Sequence, residues 1–186
     1  SGRIGWTVYG SIPRRVGLDG RLPESWSSGA RRWEGWLNGE EYPRVADPPT
    51  GRIWTANARV VSGDMLAQLG DGSYEIGSRA RLIRDRLASK ERFSERDLLA
   101  IQLDTRAEFL ERWRDVILTT LTPESTAGHT ERTMFRAIVQ DDWSGQAGAD
   151  SVAYRLTRAF REVVSDRVVS FVLSECYEAD GAVNYR

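Results

Sequence analysis

No helical period runs through roughly the first 60 residues of this chain, and one runs through almost everything after residue 77. The first stretch holds five of the six prolines and five of the seven tryptophans. Proline fixes φ and removes a backbone donor, so no long helix can cross such a segment. Ile4-Gly5-Trp6-Thr7-Val8-Tyr9 is rich in β-branched and aromatic residues, ends at Gly10, and predicts a strand. Gly17-Leu18-Asp19-Gly20 and Asp47-Pro48-Pro49-Thr50-Gly51 carry turn chemistry, with a tryptophan-rich connection from Trp26 to Trp36 between them. Arg52-Ile53-Trp54-Thr55-Ala56-Asn57 predicts a second strand. Two strands alone are not a stable sheet in water, so this part needs helices or further strands beside it.

From Gly77 the pattern is helical. Ala80, Leu82, Ile83 and Leu87 form one stripe at three- and four-residue spacing. Ser94-Glu95-Arg96-Asp97 predicts a helix start with Ser94 as N-cap. Thr105-Arg106-Ala107-Glu108 reads as a capping box, followed on one face by Phe109, Leu110, Trp113, Ile117 and Leu121. Thr130 opens a shorter helix through Met134, Ile138 and Val139. Asp150-Ser151 opens a long one through Val152, Leu156, Phe160, Val164, Val168, Phe171 and Val172. The expected organisation is a strand- and loop-rich segment over 1–61 and a helical region over 62–186, an α+β chain that is mainly helical.

Composition excludes several classes. Acidic and basic residues nearly cancel, at 27 against 26, so no bulk attraction to nucleic acid is expected. No run approaches ~18 apolar residues, so no transmembrane helix is expected. Cys176 is the one cysteine and His129 the one histidine, which rules out a disulfide framework and a zinc cluster built on those residues. The first residues carry no apolar leader, so either the protein is cytoplasmic or its native start lies elsewhere.

Chemistry read from single residues is sparse. No phosphate-cradling loop, nucleophile elbow or paired-histidine helix is present. His129 sits in a loop beside a helix start and reads as surface. The acidic pairs Glu40-Glu41 and Asp141-Asp142 point apart and make poor acid/base dyads. The tryptophans either line an aromatic or sugar site or pack the core and loops, and their irregular spacing favours packing. An N-terminal serine can act as nucleophile with its own amine as base. Ser1 has no oxyanion donor in the residues beside it and reads as an arbitrary starting point.

The order of several short motifs is more specific. Gly2-Arg3-Ile4-Gly5-Trp6 is followed by Gly10-Ser11-Ile12-Pro13-Arg14-Arg15, Gly20-Arg21-Leu22-Pro23 and Trp33-Glu34-Gly35-Trp36. Pro48-Pro49-Thr50-Gly51-Arg52-Ile53-Trp54-Thr55-Ala56-Asn57-Ala58-Arg59 comes next, then Gly77-Ser78-Arg79-Ala80-Arg81-Leu82-Ile83 and Ile101-Gln102-Leu103-Asp104. Asp142-Trp143-Ser144-Gly145 and Asp150-Ser151-Val152 complete the series, which spans essentially the whole chain. It resembles the β chain of the penicillin acylase (penicillin amidase) family of N-terminal-nucleophile amidohydrolases.

The resemblance implies an internal fragment of an N-terminal-nucleophile hydrolase fold. Such enzymes arise from a precursor that cuts itself to expose a serine, whose α-amine relays the proton when the serine attacks an amide carbonyl. Ser1-Gly2-Arg3 lacks the Asn and aromatic residue that follow the family's serine, so the nucleophile is expected outside this chain. The family's oxyanion-hole asparagine falls on Asn57, and the arginine that orients its amide falls on Arg79, 22 residues later. On residue types alone, Asn57 would close a strand and Arg79 would pair with Glu75 or Asp85; the family spacing reverses that preference. Ala58 stands where many relatives have a second Asn. The family can hold a structural calcium, but the carboxylate expected near this point falls on Gln68, with Asp64 and Asp71 close by, so no metal or other cofactor is expected of this chain.

The implied activity is hydrolysis of N-acyl amides, with β-lactam side chains or acyl-homoserine lactones as substrate classes. The implied partners are the remaining α and β segments of the same precursor, and the implied location is periplasmic or extracellular. This chain alone is expected to be inactive. The rival reading is a non-catalytic helical interaction module whose apolar stripes, Phe109 to Leu121 and Val152 to Val172, serve a partner.

Overall fold

A computed structural model describes residues 2–18, 20, 24–70, 72 and 74–179; Ser1, Asp19, Arg21-Leu22-Pro23 and Asp71, named above, lie outside them. Eight α-helices and four short strands stand among the described residues, so the chain is α+β and mainly helical, as expected. It forms two compact units, Ser1–Gln102 and Leu103–Arg186. The first unit thus takes in both the strand-rich segment and the first three helices.

In the first unit β1 (Gly5–Thr7) pairs antiparallel with β4 (Arg44–Ala46), Trp6 opposite Val45. Nested between them along the chain, β2 (Pro13–Val16) pairs antiparallel with β3 (Arg32–Trp36). The Leu37 N–H donates to the Ile12 carbonyl at 2.8 Å and the Tyr42 hydroxyl to the Gly10 carbonyl at 2.8 Å, tying the gap between the two ladders. β3 carries one residue more than β2 between the pairs Arg15–Trp33 and Pro13–Trp36, and Gly35 there takes φ 72°. The extra residue brings Trp33 and Trp36 to one face, with ring centres 6.1 Å apart and Trp26 edge-on to Trp33 at 5.6 Å. Asp47 closes the outer ladder by accepting from Arg3 Nε at 2.6 Å and the Ile4 N–H at 2.9 Å.

The strand expected over Arg52–Asn57 does not form. Ala56 and Asn57 stand at φ 79° and 60°, and two successive left-handed residues end any extended run. Beyond them α1 (Gly63–Leu69), absent from the sequence expectation, is closed by Arg15, which donates to the carbonyls of Gln68 at 2.5 Å and Leu69 at 3.3 Å. α2 (Ser78–Ala88) and α3 (Glu95–Gln102) lie where the periodicity places them. Ser94 caps α3 reciprocally: the Asp97 N–H donates to its hydroxyl at 3.2 Å, and its own N–H donates to the Asp97 carboxylate at 3.0 Å.

The second unit holds α4 (Glu108–Thr120), α5 (Pro123–Thr126), α6 (Thr130–Asp141), α7 (Val152–Val172) and α8 (Ser174–Ala179). α4, α6 and α7 pack on one another. Ile117, Val139, Ala153 and Thr157 are fully buried there, and the Phe160 ring lies 6.3 Å from Trp113 and 6.4 Å from Phe135. Ser151 caps α7, as expected, by accepting from the Tyr154 N–H. The capping box read at Thr105–Glu108 is not made. Thr105 donates instead to Gln146 at 2.8 Å and Glu108 accepts from Arg106 at 2.6 Å, leaving Ala107 at the N-cap. The stripe expected along α7 is shielded only in part, with Val168 57%, Phe171 80% and Val172 69% exposed. No helix among the described residues is long and apolar enough to cross a membrane.

Candidate active site

Asn57 owes its position to the left-handed pair it forms with Ala56. Asparagine tolerates that region through its short polar side chain, whereas alanine there is strained and persists only when its neighbours hold it. The neighbours are the residues leading into α2. The Glu75 N–H donates to the Asn57 carbonyl at 2.9 Å. Arg79, the second residue of α2, donates through Nη2 to Asn57 Oδ1 at 3.0 Å and reaches the Ala56 carbonyl at 3.5 Å.

A guanidinium offers donors only, so it selects the oxygen end of the carboxamide. The Asn57 NH2 is thereby turned away from Arg79 as a fixed pair of donors. The pairing of Arg79 with Glu75 or Asp85 suggested by residue types is not what forms. Glu75 contributes its backbone N–H, and Asp85 is engaged by Arg84 at 2.7 Å and Arg81 at 3.6 Å. Both Asn57 and Arg79 are exposed in this chain.

His129 stands exposed at the N-cap of α6, in the second unit. Asn38 caps the short turn at Gly39–Glu41, and Glu41 is held below the usual carboxylate range by Arg14, then by its bond to the Asn38 backbone. Trp54 lines a shallow cavity of about 240 Å3 with Pro48, Pro49, Ile53 and Val60. The Gln68 carbonyl accepts from the Arg15 guanidinium. Among the described residues no group of three or more His, Cys, Asp or Glu side chains stands ready to hold a metal. The left-handed backbone at Ala56 and the anchoring of Arg52 described below had no signal in the sequence, since neither residue type announces its conformation or partner.

An asparagine thus stands with its amide oxygen held by an arginine at a helix start, and comparison with known proteins gives the class. The chain belongs to the penicillin amidase family, whose family model matches residues 1–182. It is 32% identical over 170 residues to the penicillin acylase 2 proenzyme of Pseudomonas sp. strain SE83, covering 91% of this chain and 21% of that protein. It is 37% identical over 106 residues to the acyl-homoserine lactone acylase QuiP of Pseudomonas fluorescens, covering 57% of this chain and 13% of that protein. With QuiP of Pseudomonas syringae pv. tomato it shares 25% identity over 164 residues, 82% of this chain and 20% of that protein. The chain thus spans about a fifth of the length of the penicillin acylase 2 proenzyme.

Proposed function

We propose that this chain supplies the oxyanion donor, but not the nucleophile, of an N-acyl amidohydrolase. An N-terminal serine outside the chain attacks the amide carbonyl while its α-amine takes the hydroxyl proton. The carbonyl oxygen becomes an oxyanion, and the Asn57 NH2 donates to it. Collapse returns the proton to the departing amine, and water releases the acyl group by the same route. One such donor is worth about 3–4 kcal/mol of transition-state stabilisation, or on the order of 100- to 1,000-fold in turnover. The observation that carries this reading is the 3.0 Å bond from Arg79 to Asn57 Oδ1, which leaves the donor end of the amide outward.

The relatives' names support two substrate classes, the acyl side chains of β-lactams and acyl-homoserine lactones. The partners are the remaining segments of the same precursor, and the compartment is periplasmic or extracellular. The exposed Val168, Phe171 and Val172 on α7 suit a face covered by such a segment. They also favour the second reading, a helical interaction module without catalysis. The two part on one experiment: Asn57→Ala in the precursor carrying this chain, assayed on a chromogenic phenylacetyl or long-chain acyl anilide. Turnover falls on the order of 100-fold or more with folding intact; activity within twofold of the parent overturns the proposal. The 186-residue chain alone gives no turnover, and hydrolysis lost on changing Ser1 would place the nucleophile within it.

A further inference from the structure

We infer that Arg52 is a positioning residue for Asn57, fixing the far end of the segment that carries the carboxamide. The inference rests on the oxyanion reading above. Three bonds from Glu75 and Arg79 hold Ala56 and Asn57 at the start of α2. None of those bonds reaches the chain upstream of Ala56. Arg52, five residues before Asn57, supplies the anchor there: its guanidinium donates to the carbonyls of Lys90 and, at 3.2 Å, Glu91, and lies over the Phe93 ring at 5.5 Å.

Those carbonyls lie just past the end of α2 at Ala88, so the two anchors sit at opposite ends of one helix. Eleven helical residues span about 16 Å, so the two arginines act at well-separated points along one element. One arginine reaches from the helix to the segment, and the other from the segment to the chain beyond the helix. A planar fork that meets two carbonyls and stacks on an aromatic face is a task for arginine that lysine performs only in part. Losing Arg52 leaves the Arg79 bond and the facing of the amide in place but loosens the chain leading into Ala56, so the donor spreads over a wider range about that bond and the oxyanion loses its close alignment while ground-state binding is retained.

The test uses the acylase precursor carrying this chain, with Arg52→Met and Arg52→Lys made alone and in the Asn57→Ala background. Arg52→Met lowers kcat about tenfold with KM and melting temperature little changed, and Arg52→Lys restores part of the loss. In the Asn57→Ala background Arg52→Met lowers kcat no further, because the group through which it acts is gone. Unchanged kcat in Arg52→Met, or a loss that multiplies in full on top of Asn57→Ala, overturns the inference and leaves the oxyanion reading standing. A change confined to melting temperature, or to KM, overturns it equally. Full turnover in Asn57→Ala removes the oxyanion reading and this inference together.

Discussion

Arg79 donates to Asn57 Oδ1 at 3.0 Å across 22 residues of chain, and that one bond decides which end of an exposed carboxamide faces outward. The two amide orientations are otherwise close in shape, and only one presents a donor. In the enzyme carrying this chain, Arg79→Met therefore lowers turnover by about 10- to 100-fold, less than Asn57→Ala, with KM little moved. Arg79→Lys recovers part of the loss, since an ammonium still donates to the oxygen but without the fork that also reaches Ala56. Steady-state kinetics on the acyl anilide checks all three variants.

Ala56 holds φ 79°, a conformation that costs a residue with Cβ about 1–2 kcal/mol and costs glycine almost nothing. Ala56→Gly is expected to raise the melting midpoint slightly, because the relieved strain exceeds the extra chain entropy. It lowers turnover at the same time, since the looser backbone no longer fixes Asn57. Thermal unfolding and kcat measured on the same variant check the trade.

Asp97 is held at about 2, against an ordinary 3.8, chiefly by its hydrogen bond from Lys90 and then by those from Ser94. A carboxyl whose folded value is depressed favours the folded state above the unfolded value and loses that effect as the pH falls through the folded one. The start of α3 is therefore at full strength above about pH 4 and loosens between about pH 4 and 2. Amide exchange at Ser94 and Asp97, followed against pH, reports it. Asp97→Asn removes the transition, since the side chain no longer titrates.

Thr157 is fully buried on α7 and its hydroxyl has no hydrogen-bond partner among the described residues. Thr157→Val keeps the volume and removes an unsatisfied polar atom, so it stabilises the second unit by about 1 kcal/mol. Thr157→Ala leaves a gap in the core shared by α4, α6 and α7 and destabilises by a similar amount. Denaturant midpoints of the two variants move in opposite directions.

The helices were legible where apolar spacing and a cap agreed, as at Ser151, or where the apolar stripe alone was regular, as along Ala80, Ile83 and Leu87. They were misread where a good cap had a better offer from afar. Thr105 and Glu108 satisfy the capping pattern, but Gln146 and Arg106 take their side chains. The strands were harder. Pro13–Val16 and Arg44–Ala46 are too short and too polar to show a period, and their partners lie tens of residues away. Arg52–Asn57 has strand composition yet turns left-handed at its end, a fact held in the contacts of Glu75 and Arg79 rather than in its own residues. The asparagine and its arginine were named from the order of motifs; their distance apart needed coordinates.

Because α2 carries Arg79 at one end and leads at the other into the carbonyls that Arg52 grips, it works as a tie-bar for the amide. A one-residue slip along its axis, about 1.5 Å, exceeds the tolerance of a hydrogen bond. Whatever presses on the outer flank of that helix thus governs the aim of a group it never touches.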